Sequence, residues 1–170
     1  QHMSVHIKAP AGAGKTFVAL HFIMTIIKDQ DAKDRSKTPR VLFIARNAPL
    51  TVFVAKWLAS RIKSAPARKR LLSRLHVASM PFSDGPCAVT VSKNSMAATP
   101  VSDCGSASLP KYDLVVIDEA HHIFRKETLR LQVEPFLQAS DKCLLLSDIS
   151  QSLSDVTFPA GLHDVELTEV

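Results

Sequence analysis

The sequence predicts an α/β fold, a mostly parallel sheet flanked by helices on both faces. Three observations predict it. Short apolar runs alternate with helix-length amphipathic ones, the runs carry the β-branched and aromatic residues of buried strands, and the first run meets the first helix through a Gly-rich turn. At 170 residues the chain reads as one domain, residues 1–170, large enough to bury a real core. Hydrophobic residues are 46% and charged residues 22%, an ordinary globular balance. No apolar run approaches the ~18 to 20 residues that a membrane span requires.

SVHIKA (4–9) reads as the first strand and KTFVALHFIMTIIKD (15–29) as a strongly apolar helix, followed by a charged surface loop that ends at Pro39. RVLFIAR (40–46) is a second buried strand. PLTVFVAKWLASRIKS (49–64) returns as a helix whose first turn suits Pro49. ARKRLLSRL (67–75) is a basic helical stretch leading to a short strand, HVASM (76–80). From Pro81 to Pro110 the composition shifts to Ser, Pro, Gly, Thr and Ala, broken by the strand CAVTVS (87–92). Such composition buries too little apolar surface to fix itself, so residues 94–110 are expected to form a mobile insertion. YDLVVIDEA (112–120) is a strand, and RKETLRLQVEPFLQAS (125–140) is mostly helix, bent or split at Pro135. KCLLLSD (142–148) and DVELTEV (164–170) are the last two strands.

Three cysteines, Cys87, Cys104 and Cys143, show no CxxC or Cys/His ligand spacing. That argues against a disulfide framework or a zinc site and for a reducing intracellular compartment, cytoplasm or nucleus. No export signal opens the chain, and its first residues, QHM, read as a cloning remnant. A net charge of +5 and a pI near 9.3 permit a nucleic-acid partner without establishing one. Lys56, Arg61, Lys63, Arg68, Lys69, Arg70 and Arg74 follow one another with no acid among them, either as a solvated helix face or as a patch that tracks phosphates.

APAGAGKT (9–16) fits the phosphate-loop pattern G/A-x-x-x-x-G-K-[S/T], with Ala9 in the leading place, and it stands between a strand and a helix as that motif must. Ala11, Gly12, Ala13 and Gly14 form the loop. Its backbone N–H groups point inward at a phosphate, and the new helix adds its positive dipole end. Lys15 reaches the β- and γ-phosphates of ATP, and the Thr16 hydroxyl ligates Mg2+. In VVIDEAHH (115–122) an apolar strand runs into two adjacent acids, which repel unless a cation or a reacting water uses them. Asp118 then holds the magnesium, and Glu119 polarises the attacking water.

APAGAGKT, VVIDEAHH and LLLSDISQS (144–152), in this order, resemble motifs I, II and III of superfamily 1 and 2 helicases and helicase-like ATPases, whose first domain is a RecA-like P-loop NTPase fold. DEAH alone suggests superfamily 2. SDISQ resembles the superfamily 1 motif III, with Ser147 in the place of a glycine, and it points to superfamily 1, of the Schlafen-like or viral-like kind. VLFIARNAPLTVFVAKWL (41–58) resembles motif Ia, whose turn contacts a single strand in that family, which makes Arg46, Asn47 and Thr51 candidates. CAVTVSKNS (87–95) lies where the family has another strand and DNA-facing loop, which makes Thr90, Ser92 and Lys93 weaker candidates. The resemblance implies that Gln151 contacts the γ-phosphate or its water. His121, with Asp148, relays hydrolysis state, while His122 is read as structural.

The same resemblance implies a partner that is not in these residues. Motors of this kind bind ATP between two RecA-like domains, the second supplying arginines worth ~10³ to 10⁵ in rate in related NTPases. The chain is therefore expected to be one such domain, helicase domain 1A-like and a fragment of a longer protein, weakly active alone and bound to single-stranded DNA or RNA. The alternative is a signalling or regulatory P-loop ATPase switch with no nucleic-acid partner.

Overall fold

The computed structural model describes residues 4–33, 40–91, 96–101, 110–151 and 153–167. The strands are β1 (Ser4–Ala9), β2 (Val41–Ala45), β3 (Leu75–Ser79), β4 (Cys87–Val91), β5 (Met96–Pro100), β6 (Leu114–Ile117), β7 (Cys143–Asp148) and β8 (Leu162–Glu166). The helices are α1 (Lys15–Lys33), α2 (Ala48–Ser60), α3 (Ala65–Leu72), α4 (Ala120–Phe124) and α5 (Glu127–Gln138). All the strands join one sheet in the order β5-β4-β3-β2-β6-β7-β1-β8. Every pairing from β3 through β8 is parallel, while β3–β4 and β4–β5 are antiparallel. The expected class, a mostly parallel sheet covered on both faces, is the one observed.

Alternation along the strands builds the two cores. Val41, Phe43 and Ala45 pack with Leu114, Val116, Leu144 and Leu146 under α1, α2 and α3. Leu42 and Ile44 pack with Val115, Ile117 and Leu145 under α4 and α5. Every residue of β2 and β6 is buried, which is why both read as unbroken apolar runs rather than alternating ones. Helix α1 buries Ala19, Leu20, Ile23, Met24 and Ile27, a stripe at helical spacing. Helix α2 starts where Asn47 caps it, its side-chain oxygen accepting from Leu50 N at 3.0 Å.

Three stretches differ in detail from their expectations. Within residues 94–110, Met96–Pro100 forms β5, antiparallel to β4 with Val89 opposite Ala98. Backbone pairing places this segment in the sheet although Ala97, Ala98 and Thr99 are exposed. Residues 94, 95 and 102–109 lie outside the described residues. Pro135 does not split its helix, since α5 runs through it to Gln138. The lost bond is the one to the Leu131 carbonyl, and Leu131 is among the most exposed apolar residues, so water is at hand to replace it. The strand ending in the two acids stops at Ile117, and Ala120 already opens α4.

A polar row running from the buried Ser147 and His6 to the exposed Asp164 ties three strands at one edge. His6 on β1 places Nε2 2.8 Å from Ser147 Oγ on β7 and Nδ1 3.3 Å from Asp164 Oδ1 on β8, under the Phe158 ring. Lys8 Nζ donates to Asp164 Oδ2 at 2.7 Å. Ser147 is fully buried, so this Ser–His–Asp row is a brace and not a nucleophile. Burial, more than the nearby Lys8 charge, pushes the His6 pKa down to about 4. The imidazole is therefore neutral, donating from Nδ1 to Asp164 and accepting the Ser147 hydroxyl proton at Nε2.

A depressed histidine pKa stabilises the fold fully above the ordinary value of 6.5, and the contribution is lost as pH falls from there toward about 4. The loss should reach on the order of 2 to 3 kcal/mol near pH ~4.5. Urea midpoints should therefore fall across that window in the wild type and fall less in His6→Gln. Parallel curves for the two proteins would mean that another group titrates.

Candidate functional site

The carboxyl ends of β1, β7 and β6 lie side by side. β7 lies between the strand that leads to Asp118 and the phosphate-loop strand, with Ala9 opposite Asp148 and Ile117 opposite Leu145. The motif III strand thus stands at the centre of the site. Ala11, Gly12, Ala13 and Gly14 carry the chain from β1 into α1. Gly12 and Gly14 have φ of +84° and +78°, the left-handed region, and no atom lies within 4 Å of a Cβ built at either. Backbone conformation, not space, calls for glycine at both.

Lys15, the first residue of α1, folds back over the loop. Its Nζ donates to the Ala9 carbonyl at 2.8 Å and the Pro10 carbonyl at 2.7 Å, so a phosphate at the loop would compete with these carbonyls for one ammonium. Thr16 Oγ1 donates to Asp118 Oδ2 at 2.8 Å, and Asp118 Oδ1 accepts from Glu119 N at 2.8 Å. Asp118 is 3% exposed. Burial pushes its carboxyl above the usual range, opposed by the hydrogen bonds from Thr16 and Glu119.

Among the described residues no three His, Cys, Asp or Glu gather into a metal cage. A carboxylate and a hydroxyl 2.8 Å apart beside a phosphate loop fit a hard cation that takes its remaining oxygens from phosphate and water. Glu119 is the one non-glycine with positive φ among the described residues, at φ 51° and ψ 44°. This turn leaves Asp118 inside and the Glu119 side chain 44% exposed.

His121 on α4 is fully buried and joins the other two strand ends. Its Nε2 lies 3.1 Å from Gln151 Oε1, and its Nδ1 accepts from Asp148 N at 3.4 Å. Burial lowers its pKa, and the neutral ring supplies the one donor and one acceptor this pattern uses. Asp148 Oδ1 accepts from Ser150 N at 2.9 Å and Ser150 Oγ at 2.7 Å, closing the turn that presents Gln151. Lys15, Thr16, Asp118, Glu119, His121, Asp148 and Gln151 are thus gathered at one end of the sheet.

The nucleic-acid candidates divide. Arg46 is half exposed and reaches the site rather than standing apart from it: its Nη1 lies 3.6 Å from Glu119 Oε2 and 3.1 Å from His122 Nε2. Asn47 is exposed and serves as the cap of α2. Thr51 is buried, its hydroxyl donating to the Ala48 carbonyl at 2.7 Å in the first turn of α2. Thr90 is exposed on β4, while Ser92 and Lys93 lie outside the described residues. His122, expected to be structural, places Nε2 3.7 Å from Glu119 Oε2, and its spacing three residues beyond Glu119 on a helix is the signal that would have found it.

The basic stretch is not one surface. Arg74 is buried and donates to the Ile27 carbonyl, Arg68 faces the carbonyls of Ile62 and Lys63, and Arg61 stacks over the Trp57 ring at 4.7 Å. Helix α3 leads to the end of the sheet where β2 and β3 begin, since Val41 N donates to the Arg74 carbonyl at 2.8 Å. That is the end opposite Lys15 and Arg46.

Strand order, loop and acids together define a class: a RecA-like phosphate-loop domain of the kind found in helicases. The family model described as type III restriction enzyme, res subunit, matches residues 1–147, and the chain belongs to that family. Among solved structures it is similar to the Hef helicase domain of Pyrococcus furiosus, with a TM-score of 0.54 and 19% identity over 98% of this chain and 35% of that one. The chain therefore spans about a third of that helicase-domain chain. It is more distantly similar to the ATPase domain of the Thermus phage P74-26 large terminase, with a TM-score of 0.41 and 11% identity over 86% of this chain and 60% of that one. No curated protein matches it. Among the described residues, no helix is long and apolar enough to cross a membrane.

Proposed function

We propose that the chain is the Mg2+- and ATP-binding motor domain of a nucleic-acid-dependent ATPase or helicase, one RecA-like unit that hydrolyses ATP when a second such domain completes it. The observation that carries this reading is the convergence of Lys15, the Thr16–Asp118 pair, Glu119 and Gln151 at the carboxyl ends of three adjacent strands. The loop N–H groups and the α1 N-terminus cradle the β- and γ-phosphates, and Lys15 leaves its two carbonyls for them. Thr16 and Asp118 hold magnesium, which when bound neutralises charge on the phosphate oxygens. Glu119 orients a water and takes its proton. Gln151 meets the γ-phosphate side of the site and passes its state through His121 to Asp148.

The finer placement, superfamily 1 of the Schlafen-like or viral-like kind, rests on SDISQ. Single-stranded DNA or RNA is the proposed partner, approaching the exposed Arg46 and Asn47. The test is ATP turnover by this chain with and without a single-stranded oligonucleotide. Turnover that rises with the strand supports a motor domain. Nucleotide-driven change in assembly state with no response to oligonucleotide would point instead to a regulatory switch. Because α3 lies at the far end of the sheet, reversing charge at Lys69 and Arg70 should leave the salt slope of strand binding unchanged. A slope reduced by ~0.7 per lost phosphate contact would put that helix on the strand's path.

A further inference from the structure

We propose that Arg46 is a positioning residue that occupies the Glu119 carboxylate, aimed there by His122, and that backbone phosphates of a bound strand draw Arg46 away and free the acid. The inference rests on the reading of Glu119 as the water-activating base and adds how that base is regulated. Strand register creates the contact. β2 and β6 run parallel with Ile44 opposite Ile117, so Arg46 and Glu119, each two residues further on, leave the sheet side by side.

One guanidinium nitrogen, Nη1, serves both partners. It lies 3.1 Å from His122 Nε2 and 3.6 Å from Glu119 Oε2, the same carboxylate oxygen that His122 Nε2 approaches at 3.7 Å. Burial, then the nearby His121 and Arg46, lower the His122 pKa, and a neutral ring accepts the guanidinium proton at Nε2. His122 therefore anchors Arg46 rather than competing with it. A Glu119 oxygen already facing a guanidinium offers fewer lone pairs to a water, and a proton-accepting carboxylate needs that oxygen.

The contact is built to be broken. Arg46 is 51% and Glu119 44% exposed, and a pair so open to water is weak. A phosphodiester offers the same guanidinium a bidentate partner of like charge. Arg46 also immediately precedes Asn47, the cap of α2, so a phosphate drawn to Arg46 meets the exposed start of a helix of 13 residues. Strand binding and release of the base become one event at one side chain.

The experiment is single-turnover ATP hydrolysis by the 170-residue chain with and without an oligothymidylate, for the wild type, Arg46→Ala, Arg46→Lys and His122→Ala. Arg46→Ala should raise the strand-free rate about two- to fivefold, the size an exposed ion pair supplies, with unchanged ATP affinity and no further gain from the oligonucleotide. His122→Ala should raise it less, and Arg46→Lys should return it toward the wild-type value. A strand-free rate in folded Arg46→Ala equal to or below that of the wild type overturns the inference while leaving the ATP site standing. A wild type that binds no ATP removes the proposed function, and this inference with it.

Discussion

Lys15→Ala is expected to lower ATP affinity by about 10- to 10³-fold. Lys15 donates to two carbonyls of its own loop at 2.8 and 2.7 Å, so the ammonium already lies where the loop converges. A phosphate taking it gains hydrogen bonds in which both partners are charged, worth roughly 1.5 to 3 kcal/mol each. Two such bonds lost give about 3 to 6 kcal/mol, of which about 1 to 2 is offset by the bonds that Lys15 gives up to the Ala9 and Pro10 carbonyls, and each 1.4 kcal/mol of the remainder is about tenfold in affinity. Titration of a fluorescent ATP analogue reads the change directly. The variant should remain folded, because Lys15 lies at the first turn of α1 and the stripe from Ala19 to Ile27 holds that helix. Wild-type affinity in a folded Lys15→Ala protein would sink the phosphate-loop assignment.

That assignment was legible because the motif is local. Two glycines in the left-handed region, a lysine and a threonine within one turn define the loop whatever the rest of the chain does. The parallel sheet was legible for a similar reason, since strands buried on both faces leave continuous apolar runs such as VLFIA and LVVI. What escaped depends on strand order and register, which no single run carries. Arg46 was a candidate for a distant strand until the β2–β6 register set it beside Glu119. Arg74 counted as surface charge until the fold buried it against the Ile27 carbonyl of α1. His6, Ser147 and Asp164 come from three strands and meet only because β7 and β8 flank β1. Strand β5 was missed because its order comes from backbone pairing rather than from burial.

Glu119→Gln is expected to leave ATP binding near wild type and to lower hydrolysis by about 10²- to 10⁴-fold, the usual contribution of a general base. The structure separates the adjacent acids. Asp118 is buried and bonded to Thr16, whereas Glu119 faces Arg46 and projects half exposed past the strand end. An amide keeps the side chain's length and removes its capacity to take a proton. Arg46 loses a charged partner in this variant, but a pair so exposed is worth at most ~1 kcal/mol. The backbone makes the comparison sharper. Glu119 sits at φ 51°, where a side chain with a Cβ costs roughly 1 to 2 kcal/mol and asparagine is better tolerated. Glu119→Asn should therefore lose hydrolysis while its thermal midpoint holds or rises, the mark of an acid kept for chemistry at the expense of stability. Loss of ATP binding in Glu119→Gln would instead make this residue part of the magnesium and phosphate site. A stability loss in Glu119→Asn together with full activity would take the base away from this position altogether.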